Sequence, residues 1–163
     1  MSLPAGRVLG VVLALVAGGL VLALWPSKEP GVAEAIEGRV RELAQAAEDR
    51  DLGELTDGVS ERFRSKEGWG KPEAKRVLAA QVLRGEWLSV FVADLDAQEE
   101  SPTRGTFRAK LLFARSEAQS LEGLARESVT SAYLLEGAFE READGTWRCV
   151  SVSQRRLEAG ELF

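Results

Sequence analysis

The chain has 163 residues, with 21 Lys and Arg, 26 Asp and Glu, a formal net charge of −5, one cysteine and no histidine. The lack of histidine excludes Ser-His-Asp and Cys-His catalysis and histidine metal sites, and the single Cys149 excludes an intramolecular disulfide and a thiolate zinc site. Removing Arg7, the only charged residue before Lys28, from the net charge of −5 leaves −6 for the remainder, which argues against nucleic acid as a partner.

The first 31 residues divide into a tail, an apolar run and a linker. Residues 1–7 are the tail, and Val8 to Trp25 is a run without a charge that, as a helix, would span about 27 Å, close to the hydrocarbon thickness of a bilayer. Trp25 stands where a signal peptidase needs a small residue, so an uncleaved anchor is favoured over a cleaved signal. Residues 26–31 form a polar linker. We expect a single-pass protein of the inner (cytoplasmic) membrane, with the following domain on the extracytoplasmic side.

Three helices are predicted at the start of the domain, residues 32–157. Asp51 is placed to cap a second, shorter helix, and Pro72 suits the first turn of a third helix that ends near Gly85. The first helix is indicated by apolar residues that recur at helical spacing: Val32, Ile36, Val40, Leu43 and Ala47.

After Gly85 the apolar pattern changes to the alternation of strands. The acidic run Asp94 to Glu100 is interpreted as a solvated connection rather than a calcium site, and Asp144-Gly145 predicts a tight hairpin. Residues 158–163 are left as a C-terminal tail. Three helices followed by a four-stranded antiparallel sheet is an α+β arrangement, with the helices packed on one face of a curved sheet. The predicted strands are residues 87–93, 106–114, 128–142 and 147–154.

Two segments carry a family resemblance. Asp51-Leu52-Gly53-Glu54-Leu55 and Asp144 to Val152, with Phe63 between them, resemble the nuclear transport factor 2-like superfamily, whose cystatin-like cone also occurs in SnoaL-like proteins. The resemblance spans most of residues 32–157. It implies a sheet bent around the helices to leave a pocket, in a group that includes isomerases, dehydratases, ligand binders and interaction modules. A membrane span before such a cone is similar to the layout of the inner-membrane scaffold subunit of type IV secretion machines.

No residue is assigned a catalytic, cofactor-binding or metal-ligating role, and no cofactor is expected. Tyr133 falls on a strand, so it does not match the helical tyrosine of ketosteroid isomerases, and Cys149 is interpreted as a small buried residue. The candidate pocket of the cone is formed by Trp87, Phe91, Phe107 and Tyr133.

A basic segment, residues 61–76 with a net charge of +3, is the candidate interaction surface. Trp69 lies at its centre between two glycines, and exposed Trp with Arg is typical of interface anchors, while the basic charge also suits anionic lipid headgroups. The alternative is a solvated helix face with Trp69 folded back over the pocket. The residues assigned to this surface are Arg62, Arg64, Trp69 and Lys71.

The favoured hypothesis is a membrane-anchored, non-enzymatic interaction or assembly module of the cell envelope, with a protein partner. A weak homodimer is compatible with it. The alternative is a small-molecule binding protein that holds an apolar ligand in the cone pocket. An acid–base isomerase or dehydratase ranks last, because only carboxylates and Tyr133 are left to catalyse such a reaction.

Overall fold

The computed structural model describes residues 29–162. The predicted anchor, Val8 to Trp25, lies outside the described residues, and none of the helices within them is long and apolar enough to cross a bilayer. The 3₁₀ turn Arg126–Ser128 precedes the third strand, and a second 3₁₀ turn, Ala159–Glu161, follows the fourth. The helices are α1 (Val32–Glu48), α2 (Leu52–Asp57) and α3 (Lys71–Arg84), and the strands are β1 (Ser89–Ser101), β2 (Arg104–Ala114), β3 (Val129–Arg141) and β4 (Trp147–Arg156).

Two local signals of the sequence form as predicted. Asp51 caps α2, because its side chain accepts a hydrogen bond of 3.0 Å from the N–H of Glu54. Gly145, with a φ of +83°, closes the hairpin between β3 and β4. The strands form an antiparallel meander in the order β1-β2-β3-β4. The prediction of an α+β fold, with three helices before a four-stranded antiparallel sheet, is confirmed.

The face of the sheet that packs against α1, called the helix-side face, carries the first core. Ile36 of α1 is fully buried, and the rings of Phe107 and Phe139 in the same cluster lie 5.2 Å apart. The close approach of α1 requires a residue without a Cβ on β2, because a Cβ at Gly105 would lie 2.6 Å from Ile36 Cδ1. The buried residues of this core are Ile36, Val40, Phe63, Phe107, Ala109, Phe139 and Cys149.

A second core lies on the opposite face of the sheet, called the outer face. Side chains alternate between faces along a strand, so Leu112 and Ala114 of β2 point away from the helix side, and both are fully buried. They are covered by residues 115–128 and by the segment after β4, which buries Leu157 and Leu162 in the same cluster. The domain therefore continues through the predicted tail as far as Leu162, and the end of β2 is apolar on both faces.

The acidic run Asp94 to Glu100 belongs to β1, which corrects its interpretation as a solvated connection. A bulge follows Ala93, with Asp94 at a φ of +48°, and the strand then continues. Asp94 lies 2.7 Å from Lys110, and Glu100 lies 2.8 Å from Arg104. Because opposite charges on neighbouring strands attract, the basic residues of β2 stabilise an acidic strand that its own composition disfavours.

Helix α3 packs less deeply than α1. It contacts α2, and none of its residues is buried. Ala74 near its beginning packs against the helix-side core, whereas Leu83 near its end is 84% exposed. Much of the surface of α3 is therefore available for contact with another molecule.

Candidate functional site

The segment between α2 and the Trp69 loop is held against the edge of β4. The N–H groups of Ser60 and Arg64 donate to the carbonyls of Cys149 and Val150, each at 3.0 Å, and Gly58 accepts from the N–H of Cys149 at 2.8 Å. These bonds extend the sheet by a short stretch of parallel pairing. The Trp69 loop therefore begins from a fixed position on the sheet.

Buried Ser60 also links this segment to the β3–β4 hairpin. Its hydroxyl donates to Glu142 Oε1 at 2.6 Å, and Arg148 lies 2.8 Å from the other carboxylate oxygen of Glu142. The Ser60 hydrogen bond and then the Arg148 guanidinium hold the pKa of Glu142 below its usual value. Arg148 pairs in addition with Asp57 at 3.2 Å and with Asp144 at 2.8 Å, so one cation joins α2 to the hairpin.

The Trp69 loop is closed by the serine at its start. Ser65 donates its N–H to the carbonyl of Trp69 at 2.9 Å and accepts the N–H of Trp69 on its hydroxyl at 3.1 Å. Gly68, at a φ of +86°, makes the turn. Trp69 is 41% exposed even though its backbone is fixed in this way. The loop presents an aromatic side chain to solvent at little further cost in conformational entropy.

Ion pairing divides the predicted interaction surface. Arg62 lies 2.6 Å from Glu140, and Lys71 lies 2.8 Å from Glu61, so both charges are neutralised locally. Arg64 donates only to a backbone carbonyl, that of Phe63 at 2.7 Å. The cations of this region that form no ion pair with a described residue are Arg64, Lys66, Lys75, Arg76 and Arg84.

Two of the four predicted pocket residues are linked through a third aromatic. The rings of Trp87 and Phe113 meet edge-to-face at 5.0 Å, and those of Phe113 and Tyr133 at 6.2 Å. Trp87 donates its indole N–H to the carbonyl of Ala47 at 3.0 Å, which fixes this group to the end of α1. Phe113 lies in the predicted strand 106–114, and strand alternation places it on the same face as Phe107.

The other two predicted pocket residues lie elsewhere. Phe107 stands six residues before Phe113 on β2, about 20 Å along the strand, and packs with Phe139 in the first core. Phe91 pairs with Leu112 and packs against the outer core. The predicted set therefore does not line one cavity, because its members occupy two ends and both faces of the sheet.

The two central strands present no carboxylate to the helices. Among their helix-side residues, only Ser131, Tyr133 and, at the end of β3, Arg141 have a polar side chain, and the described residues supply no hydrogen bond to the hydroxyl of half-buried Tyr133. An acid–base reaction inside the cone would need a second titratable group here. The helix-side residues of β2 and β3 are Gly105, Phe107, Ala109, Leu111, Phe113, Ser131, Tyr133, Leu135, Gly137, Phe139 and Arg141.

Two open grooves lie outside the predicted pocket. One, of about 550 Å³, runs over the outer face with Phe107 as its only aromatic lining residue. The other, of about 580 Å³, lies between α1 and the start of β4.

Arg39 lines this second groove. Its Nη2 atom is buried without a hydrogen-bond partner among the described residues, while its Nη1 atom lies 2.5 Å from Glu54. Burial lowers the pKa of Arg39, but its hydrogen bonds to Glu54 and Glu42 outweigh this effect and raise it.

Cys149 is buried in the helix-side core, as predicted. Burial raises the pKa of its thiol to about 12, and the S–H donates to the carbonyl of Ser151 at 3.3 Å. The thiol is therefore protonated at neutral pH and is a structural group rather than a nucleophile.

Solved structures with a similar fold cover most of the chain. A protein of unknown function with a cystatin-like fold from Nostoc punctiforme has a TM-score of 0.58 at 10% identity, over 79% of this chain and 93% of that one. A nuclear transport factor 2-like protein from Novosphingobium aromaticivorans has 0.54 at 16%, over 80% and 87%. A hexachlorocyclohexane dehydrochlorinase from Novosphingobium barchaimii has 0.54 at 17%, over 76% and 85%.

These likenesses define the fold. The sequence matches no family model and no curated protein. The chain has the cystatin-like cone of nuclear transport factor 2-like proteins, which confirms the resemblance found in the sequence at the level of fold. At these identities the likeness carries no information about activity.

Proposed function

We propose that the chain is a non-enzymatic interaction module of the cell envelope, anchored to the inner membrane by Val8 to Trp25, with the domain on the extracytoplasmic side. The observation that carries the proposal is the composition of the helix-side face. Its two central strands offer no carboxylate, and the chain has no histidine. What the fold presents instead is an exposed Trp69 on a fixed loop, next to cations that form no ion pair with a described residue.

The membrane part of the proposal is tested with the full chain in cells. After an alkaline carbonate wash the chain is expected in the membrane fraction, because an uncharged run of this length partitions into the bilayer. A mature species beginning between Ala23 and Lys28 would contradict the anchor. A reporter that is active only outside the cytoplasm, fused after Phe163, is expected to be active, and activity of a cytoplasmic reporter at that position would reverse the orientation.

The non-enzymatic part is tested by complementation of a deletion strain. The double variant Trp69→Ala with Arg64→Glu is expected to lose function, because truncating an aromatic anchor commonly costs about 2 kcal/mol of interaction energy or more. Tyr133→Phe and Asp94→Asn are expected to complement fully. Thermal melts must show that the double variant folds. If it melts normally and complements, while Tyr133→Phe does not, the proposal is wrong and the cone contains an active site.

A second candidate function is the binding of an apolar small molecule. The observation that favours it is the row of rings from Trp87 through Phe113 to Tyr133, with a tyrosine hydroxyl that no described residue engages. A ligand with one hydrogen-bonding group would satisfy that hydroxyl. Titration with a hydrophobic fluorescent probe tests this function: saturable binding that weakens in Tyr133→Phe supports it, and unsaturable binding contradicts it. An acid–base isomerase remains the least supported alternative.

A further inference from the structure

We propose that α3 and the Trp69 loop form a surface that lies on the headgroups of an anionic lipid bilayer. This α3 surface consists of the loop Ser65–Trp69, the outward side of α3 and Leu88. The inference deepens the proposed function, since it names what the interaction surface contacts. It depends on the proposed anchor only because the anchor would keep the domain close to a membrane.

The large exposed apolar residues of the described chain lie within α3 or close to it in the sequence. Trp69 is 41% exposed, Leu83 is 84% exposed and Leu88 is 55% exposed. They stand directly before α3, within it and shortly after it. On α3 itself, Arg76, Ala80 and Leu83 lie on one side at spacings of four and three residues. An exposed Leu can enter the headgroup region while a neighbouring Arg extends its charge to the phosphates, and Trp is favoured at the headgroup level.

The free positive charge of the domain gathers there as well. Lys66, Lys75, Arg76 and Arg84 are exposed and form no ion pair with a described residue, in contrast to most other cations of the described chain. They outnumber the two exposed carboxylates of the same surface that form no ion pair with a described residue, Glu67 and Glu73. The domain as a whole is acidic, so this surface is a local exception. It attracts anionic lipid electrostatically, and the contribution is about fivefold in affinity for each basic residue near the membrane.

A bilayer fits this surface better than a second copy of the chain does. Two copies that met through α3 would bring their unpaired cations together, which opposes association. A bilayer, by contrast, would be close at hand, because the linker 26–31 extends at most about 20 Å, similar to the length of α3 at about 21 Å.

The place where the chain enters the domain supports this arrangement. Glu29 lies 4.0 Å from Arg141, and the next residue of the hairpin, Glu142, holds Ser60. The chain therefore enters at the end of the domain where the segment leading to the Trp69 loop is fixed. A linker attached there reaches the beginning of the α3 surface without spanning the domain.

The test uses the full chain in lipid nanodiscs and an environment-sensitive dye. The dye is attached through Ala80→Cys, which is selective because Cys149 is buried. Nanodiscs that contain about one-third phosphatidylglycerol are expected to shift the emission to the blue, whereas pure phosphatidylcholine nanodiscs are not, and high salt is expected to reverse the shift. The same dye attached through Gln98→Cys, on the exposed edge strand, is expected to show no emission shift in either kind of nanodisc. The proposal is overturned if the dye at Ala80→Cys shows no emission shift in anionic nanodiscs, or the same shift in both kinds of nanodisc.

Charge-reversed variants test the role of the cations. Arg76→Glu is expected to lower the ratio of docked to undocked domain by about tenfold or more, because it removes one attraction and adds a repulsion. Arg156→Glu is the matched control, since Arg156 is also exposed and without an ion pair but lies on β4. It is expected to leave the ratio unchanged, and equal effects of the two variants would overturn the proposal. Both variants are expected to melt as the unaltered chain does.

Failure of the anchor is distinguishable from failure of the surface. A chain that does not enter neutral nanodiscs contradicts the anchor, and the same dye is then read with anionic vesicles added to the chain in solution. An emission shift that Arg76→Glu weakens supports the α3 surface even if the anchor fails. The absence of a shift overturns the proposed surface. A dye that responds to soluble poly-glutamate but not to anionic lipid would overturn the bilayer as occupant in favour of an acidic protein.

Discussion

Ser60 and Glu142, which are 82 residues apart in the sequence, are joined by a hydrogen bond of 2.6 Å between a buried hydroxyl and a carboxylate. Ser60→Ala is expected to lower the free energy of unfolding by about 2 kcal/mol at neutral pH, because a charged hydrogen bond is lost. Ser153→Ala is the control, since the Ser153 hydroxyl makes only a 3.4 Å contact with the carbonyl of Glu136, and its expected effect is small.

The same bond predicts a pH dependence. The pKa of Glu142 is lowered in the folded chain, so the stabilisation is present above the pKa of glutamate in the unfolded chain and is lost as the pH falls through the lower, folded value. The difference in urea unfolding between the unaltered chain and Ser60→Ala is therefore expected to be larger at neutral pH than in strong acid, where only the hydrogen bond that Ser60 accepts from the N–H of Arg62 still separates them. A difference of the same size at both pH values would show that Glu142 is not the group responsible.

Cys149 is expected to resist thiol reagents while the chain is folded. Its pKa of about 12 leaves almost no thiolate at pH 8, and burial blocks access to the sulfur. Reaction with a chromogenic disulfide should accelerate only as denaturant unfolds the chain. A cysteine introduced by Leu88→Cys, at a side chain that is 55% exposed, is expected to react at once. Rapid modification of Cys149 in the native chain would contradict its place in the core.

Gly137 is expected not to tolerate a side chain. An added Cβ would lie 2.3 Å from the backbone oxygen of Ser151 and 2.9 Å from Phe107 Cε1, so β3 and β4 would have to separate. Gly137→Ala is therefore expected to cost about 2 kcal/mol of stability in a thermal or urea melt. Gly38→Ala, where the added Cβ meets nothing within 4 Å on a helix, is expected to stabilise by about 0.5–1 kcal/mol. Equal effects of the two substitutions would contradict the register of β3 and β4.

Leu112 tests the outer core. It is fully buried, so Leu112→Ala is expected to lower the free energy of unfolding by about 3 kcal/mol and to speed proteolysis within residues 115–128, which cover it. Leu88→Ala, on an exposed leucine, is the control and is expected to lie within about 0.5 kcal/mol of the unaltered chain. If Leu112→Ala behaves like the control, the outer face is not a packed core.

The parts of the fold that short-range rules decide could be predicted from the sequence. Asp51 caps α2 through a residue three positions away, and Asp144-Gly145 closes a hairpin by its own backbone preference. The helical spacing of Ile36 and Val40 likewise identified the buried side of α1. Each of these signals lies within one element.

The parts that depend on pairing between elements could not be predicted. Phe91 faces the outer core because of its register with Leu112, which its own strand does not reveal. The cover over that core comes from residues 115–128, which have no regular pattern of apolar residues. Arg62 is neutralised by Glu140, which is distant in sequence, so the basic segment alone could not show which of its cations stay free.

The bulge and the acidic side chains of β1 have a consequence for how the chain behaves at high concentration. β1 is an outermost strand of the sheet, and such a strand offers unpaired N–H and C=O groups to which another chain can add. Asp94 interrupts the regular backbone there, and each added copy would bring its own row of carboxylates against Asp96 and Glu99. Charge and shape thus both oppose edge-to-edge aggregation.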